Sequence, residues 1–524
     1  MAAALLARAG RSVIVVERRS CIGGAVATEE IVAGYRAPMI FSGMELFHPD
    51  LMRVLSLEDH GLQVLAGRGG TCMAKPDGTW LDLGHSEARS LSRLSAKDRE
   101  ALLEFERFTG ALARVLAPLQ CAPLPSLGAR DMASRLHLAG AVTRLRRLGA
   151  SDMNAALRYL PMPIQDVLDE RFESDALKAA IAAPALTAAW LGPRSAGSAY
   201  GLLHHRPAWC GGLFAPKRFA AGGPGALSAA LAASASAHGA EIRTDTPVHA
   251  VRMLEDDEPA ATNDTADSGR ARAAGVILED GTEILSHVVV SGIDPRSTLL
   301  KLVGARWLDP QTVRSLQNLR MRGSVAIVRF ALSRRPRFHG APDNDAHLAG
   351  RILIGASLDY LERAFDRAKY GLPPEQPWLE ITLPSIVDKS LAPPGRQVMH
   401  VWVQYAARTL RDSDWTTERE SLLATVTGLI EAHASDFAAS VLQADVMTPA
   451  DIEERLGLTG GCLYHVEMAL DQLLYMRPLP GWYRYRTPIA NLYLCGPGTH
   501  PGGGISGLPG KNAAAQVLAD RRWR

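Results

Sequence analysis

The chain has 524 residues, of which 47% are hydrophobic and 21% charged. That length supports two domains with large cores, and that balance excludes a mostly disordered chain. A formal net charge of +2, with no basic tract interleaved with aromatics, gives no case for a nucleic-acid partner. Residues 1–9 (MAAALLARA) predict an alanine–leucine helix closed by Gly10. Residues 12–16 (SVIVV) predict a strand apolar on both faces, as in a buried parallel sheet, ending at Glu17.

Helix, turn, strand and acidic tip make the second half of a βαβ dinucleotide unit, whose acidic side chain accepts hydrogen bonds from ribose hydroxyls. In such a unit the acid lies about 20 residues beyond a G-x-G-x-x-G turn. Counting back that far from Glu17 passes Met1. The first strand and phosphate turn are therefore expected upstream, and a start placed too far downstream, or a cut chain, is favoured over a natural variant. Without that strand, 12–16 and 492–495 would each present an unpaired edge, and buried unpaired backbone groups cost about 1–3 kcal/mol each.

Further along, 95–116 predicts a helix with an apolar stripe of Leu102, Leu103, Phe105, Phe108, Leu112 and Val115. Residues 131–148 form a basic amphipathic helix carrying Arg135, Arg144, Arg146 and Arg147. It reads as a solvated lid helix, with a membrane-surface anchor as the sharper alternative. The apolar stretch 176–191 contains Lys178 and Pro184 and is too short and broken to cross a bilayer. His204 and His205 are adjacent and point to different sides of an element, so one metal could not easily use both, and no metal is expected. The polar segment 256–269 reads as a disordered hairpin tip. Strands at 324–332, 378–383 and 398–405 suggest an antiparallel wall of a substrate cavity, and 418–434 a further helix. The six cysteines are scattered with no C-x-x-C, which argues against a zinc or dithiol centre and for reduced cytosolic thiols.

The tail, 491–512 (NLYLCGPGTHPGGGISGLPGKN), predicts a short buried strand at 492–495, a glycine-rich loop and a helix start. Glycine weakens strands and helices, so this density implies backbone that turns sharply or presses close to something. The following helix would present free N–H groups and a positive dipole end to a ligand.

With these motifs in place, Glu17-Arg18-Arg19 leading into Cys21-Ile22-Gly23-Gly24-Ala25 resembles the E-x(5)-G-G segment of flavoprotein oxidoreductases related to phytoene desaturase and the amine oxidases. The tail resembles the flavin-binding C-terminal motif of the phytoene desaturase branch. It is especially similar to the desaturase-type carotenoid ketolases and to pyridine nucleotide-disulfide oxidoreductase domain proteins. Residues 221–227 (AGGPGAL), 241–251, 288–294 and 464–480 match further family segments. Pro497 stands where the family usually has alanine, and the G-x-G-x-x-G turn is missing.

The resemblance implies an α/β fold: a discontinuous Rossmann-like FAD-binding domain (1–60, 221–296, 481–524), incomplete at its N-terminus. A substrate domain of α+β type (61–220, 297–480) is interleaved with it. It implies FAD contacts from Glu17, Arg18, Gly23, Gly24 and Ala25, from Val248 against the adenine, and from Gly496, Thr499, His500, Gly504, Ile505 and Ser506 around the ring and diphosphate. His500 invites a general-base role, but a structural histidine in a tight loop is favoured, since hydride removal from a polyene needs no strong base. No catalytic residue is assigned.

Three functions stay open. The leading one is an FAD-dependent oxidoreductase acting on a large hydrophobic substrate, a carotenoid-like polyene, by desaturation or ketolation. The second is an amine-oxidase-like enzyme, for which Tyr464 and Trp482 are the nominees for an aromatic pair. The third is a flavin-less, non-catalytic homologue. The expected setting is cytoplasmic, with peripheral membrane contact as an alternative.

Overall fold

The computed structural model describes residues 1–84, 94–126, 132–255, 271–342 and 345–520. The helix Ala2–Arg8 opens the chain and packs on the helices Gly225–Ala237 and Leu508–Ala519. Alanine makes this close packing possible: Ala4 and Ala7 are buried against Leu227, Ala230 and Leu508. The front of the chain is thereby fixed to its tail.

Two short parallel strand pairs lie beside this helix. Ile14–Val16 pairs with Glu241–Arg243, and Val289–Ser291 pairs with Leu492–Leu494. Among the described residues the two pairs are not hydrogen-bonded to each other. The tail strand is buried at all three residues, as expected. The front strand is not: it covers only 14–16, and Ile14 is 41% exposed. The sequence reading of a strand buried on both faces is corrected here. One side of Ile14–Val16 meets Glu241–Arg243, and no strand among the described residues meets the other. Beyond Glu241–Arg243, the strands Val248–Glu255, Ala271–Leu278 and Glu283–Leu285 form an antiparallel sheet. The polar segment 256–269 lies outside the described residues.

A seven-stranded sheet dominates the rest. Its order is Val441–Met447, Val325–Leu332, Gln397–Gln404, Trp378–Thr382, Arg351–Ile354, Thr71–Ala74, Trp80–Asp82. All neighbours are antiparallel except Arg351–Ile354 with Thr71–Ala74. The expected wall at 324–332, 378–383 and 398–405 is its centre. These strands are buried at every residue because both faces are covered. Ala326, Val328, Phe330 and Leu332 face the helix Trp415–Glu431, while Val325 and Ile327 face Met39, Ile40 and Tyr464. The side-chain alternation of a strand thus sends one set to a helical layer and the other to the segments around Met39–Ile40 and Tyr464.

The helix expected at 95–116 spans Ala96–Gln120, started by Ser95 accepting from the Asp98 amide at 3.0 Å. Its stripe holds for Leu102, Phe105, Phe108 and Leu112, but Leu103 is 68% exposed. Leu102 and Leu103 are adjacent, about 100° apart on the helix, so both cannot face one core. The basic helix spans Met132–Arg146, with Arg144, Arg146 and Arg147 exposed. The helix expected at 418–434 is Trp415–Glu431, started earlier by Asp414, which accepts from the Thr417 amide. No helix among the described residues is long and apolar enough to cross a membrane.

Candidate functional site

The acidic tip at Glu17 is anchored through its backbone. Its amide donates to the Arg243 carbonyl at 2.9 Å, and its carbonyl accepts from Thr246 at 2.8 Å. Val248, two residues past Thr246, therefore lies beside it. One carboxylate oxygen of Glu17 accepts from the Arg19 amide at 2.9 Å, and the other has no partner among the described residues. Arg18 points elsewhere, to the carbonyls of Glu454 and Arg455 at 3.4 Å. Arg19 reaches Glu29 at 3.0 Å, and the same carboxylate receives Arg455 at 3.0 Å and the buried Arg329 at 3.5 Å. Three arginines on one acid fix this corner against the seven-stranded sheet.

Gly23 holds φ at +116°, and a Cβ there would lie 2.9 Å from Ser228 Oγ, so only glycine lets the chain turn against the helix Gly225–Ala237. The carbonyl of Ala25 accepts from the amides of Ile40 and Phe41 at 3.2 and 3.3 Å. Phe41 then enters a cavity that Gly504 and Ile505 also line. The acidic corner and the tail loop are in this way joined through one short segment. Ser506 is tied to the same segment, its carbonyl accepting from the His48 amide at 3.2 Å.

The tail loop is held largely by its own neighbours. Gly504 has φ +100°, and Gly503 lies against the Tyr464 ring, 2.0 Å from where its Cβ would be. Part of the glycine density thus serves close packing of protein on protein. Gly496 accepts from Thr499 twice, through the amide at 3.0 Å and the hydroxyl at 2.9 Å. His500 turns away from the cavity: Nε2 lies 2.8 Å from the Leu119 carbonyl, and the Tyr485 hydroxyl donates to the His500 carbonyl at 2.8 Å. Burial pulls its imidazole down to about 4. Those contacts are structural in kind.

Arg477, which the sequence did not single out, fastens this loop. It is fully buried and donates to six carbonyls: Thr499, Glu467, Gln472, Tyr464, Val466 and Pro497, at 2.7–3.2 Å. Burial lowers its guanidinium to about 10, which leaves it protonated at neutral pH.

The cavity itself has a volume of ≈ 90 Å³ and is strongly charged. Glu45, Arg206, Lys217, Arg351 and Glu380 line it, with Phe41, Trp402, His205, Cys210 and Tyr464. Lys217 and Arg351 each lie 3.0 Å from Glu380. Burial alone would push the Glu380 carboxyl up, but Arg351 and then Lys217 hold it down at about 2. His205 Nε2 lies 2.7 Å from the Tyr464 hydroxyl, and His204 Nε2 lies 2.9 Å from the Gly503 carbonyl. The two histidines are therefore committed to different partners. Tyr464 is at the cavity, but Trp482 is buried in another cluster with Leu299, Val466 and Leu492, so the two do not frame one site. The aromatic pair at the cavity is Phe41 and Trp402, with ring centres 5.4 Å apart.

A flavin dinucleotide fits residues at both ends of this arrangement. Glu17 offers a free carboxylate oxygen for a ribose, and the amides of Gly24 and Ala25 have no acceptor among the described residues. The Gly504–Ile505 turn stands at the cavity, and the helix Leu508–Ala519 begins three residues after it.

Comparison with known proteins agrees. The family model described as flavin containing amine oxidoreductase matches residues 1–518. The chain is 36% identical over 544 residues to pyridine nucleotide-disulfide oxidoreductase domain-containing protein 2 of Rattus norvegicus, covering 99% of this chain and 91% of that one. It is 27% identical over 329 residues to a lycopene-forming phytoene desaturase of Paracoccus sp., covering 62% and 59%. The solved structure of wild-type putrescine oxidase bound to putrescine superposes with a TM-score of 0.60 at 15% identity, covering 99% of this chain and 96% of that one, which establishes a shared fold. The chain belongs to the flavin-containing amine oxidoreductase family, and its cofactor is FAD.

Proposed function

We propose that this FAD-dependent oxidoreductase oxidises a small polar organic substrate lodged in the charged cavity at the tail loop. The observation that carries the reading is the lining: five charged side chains share a ≈ 90 Å³ cavity with Gly504 and Ile505. When bound, the flavin supplies hydride acceptance, and the protein supplies orientation and electrostatics. Here Phe41 and Trp402 give an apolar wall, the Lys217–Glu380–Arg351 cluster a polar one, and Tyr464 a hydroxyl already held by His205. Burial keeps His205 at about 4, neutral near pH 7.

Desaturation or ketolation of a carotenoid-like polyene is the second reading, and the 27% identity to a phytoene desaturase favours it. An apolar chain would enter beside five charged groups and return no hydrogen bonds to them, which weighs against it. We also propose peripheral membrane contact through the basic helix. It rests on exposed Leu136 and Val142 beside Arg144 and Arg146, and co-pelleting with anionic vesicles tests it.

The main test is anaerobic mixing of the purified protein with short amines, short hydroxy acids and a solubilised polyene. We expect a yellow protein whose flavin colour bleaches with a short polar compound. Bleaching by the polyene alone would establish the second reading, and a colourless protein would overturn both.

A further inference from the structure

The charges in the cavity are not all matched. Lys217 and Arg351 share Glu380, and they reach Glu45 at 3.9 and 3.5 Å. Arg206 lines the same cavity, directly after the helix Ser198–His205, and has no hydrogen-bond or ion-pair partner among the described residues. Its Nε is sealed from solvent and unbonded. The nearby acid Glu106 turns one oxygen to the Leu213 amide at 3.0 Å and forms no ion pair with Arg206. Three cations therefore face two carboxylates in the lining. Burial lowers Arg206 to about 10, so it carries its charge at neutral pH.

An unbonded buried donor costs stability, and native chains retain such groups where they serve something other than folding. Arg offers a planar fork matched to a carboxylate, which a point cation does not. We propose that Arg206 anchors the carboxylate of a small organic acid at the tail loop. The inference rests on the oxidoreductase reading above and narrows its substrate to an organic anion.

The test uses three probes of one size, propionate, propylamine and 1-propanol, titrated into the FAD-loaded protein at constant ionic strength. Flavin difference spectra report binding, and protein fluorescence, to which the cavity-lining Trp402 contributes among nine tryptophans, gives a second readout. We expect propionate to bind at least about tenfold more tightly than the other two, the scale of one charge-assisted contact. Arg206→Met should abolish that preference, and Arg206→Lys should keep part of it. Arg206 is half-buried and makes no hydrogen bond that methionine would lose, so the melting temperature of Arg206→Met should stay close to that of the wild type. Equal binding of the three probes, preference for the amine, or an unchanged propionate affinity in Arg206→Met overturns the proposal. If Arg206→Met does not fold, Arg206→Gln decides by the same comparison. Tryptophan fluorescence reads the titration even in a colourless protein, so absence of flavin defeats only the function reading.

Discussion

Arg477 holds six carbonyls of the 464–472 segment and the tail loop, and among the described residues it has no carboxylate partner. Removing it leaves several buried acceptors unpaired, at about 1–3 kcal/mol each. Arg477→Met should therefore lose roughly 3 kcal/mol or more in urea unfolding, and the purified protein should hold less flavin. Unchanged stability would show that the carbonyls find other donors. Glu17 and Gly504 belong to the same scale but act on the cofactor. Glu17→Ala removes a charge-assisted acceptor worth roughly 1.5–3 kcal/mol, which should weaken flavin binding by about tenfold or more. Gly504→Val places a branched side chain at φ +100°, with Leu46 Cδ1 2.6 Å from the new Cβ. Both variants should purify with less flavin, read from the ratio of visible to protein absorbance. Full occupancy in both would move the binding site elsewhere.

Elements with strong local signals were legible in the sequence. The helix Ala96–Gln120 announces its start through Ser95 and Asp98, whereas the helix Pro449–Leu456, which the sequence analysis did not single out, has a full capping box between Thr448 and Asp451. Thr448→Ala should cost about 1 kcal/mol, seen as a shifted denaturant midpoint with an unchanged slope. The acidic tip and the tail glycines stood out in the sequence because a dinucleotide site calls for an acidic strand tip and for backbone that can approach a ligand closely. The cavity was not. Glu45, Arg206, Lys217, Arg351 and Glu380 come from five separate segments, and only tertiary packing brings them together. One signal was present: Glu380 sits in WLEIT, an otherwise apolar-rich strand buried at every residue, where a carboxylate requires a partner. The exposure of Ile14 was equally hidden, because a strand's composition does not reveal how many neighbours it has. The relation of Tyr464 to Trp482 also depended on packing rather than on residue type.

At the scale of the whole molecule, buried neutral histidines govern the response to acid. Burial holds His205, His465 and His500 at about 4, His400 at about 3, and His204 well below its ordinary value. Each folded value lies below the unfolded one near 6.5, so the unfolded chain binds more protons as pH falls from that value toward 4. Stability therefore falls with pH across this window, by up to ~1.4 kcal/mol per pH unit for each histidine. Glu380 acts lower down: its folded value of about 2 lies under the unfolded 4.5, so its contribution is intact above 4.5 and fades toward 2. The five histidines act in the same direction, so their effects on stability add as pH falls below 6.5. Acid unfolding is thus expected to set in as these histidines protonate, before Glu380 titrates. His400 gives the sharpest check, since neither ring nitrogen has a partner and Lys217 and Arg329 add to the effect of burial while Glu380 opposes it. His400→Leu should flatten the dependence of the urea midpoint on pH between 6.5 and 4.5 and reduce proton uptake on unfolding by about one. A pH profile identical to that of the wild type would place the sensitive groups elsewhere in the molecule.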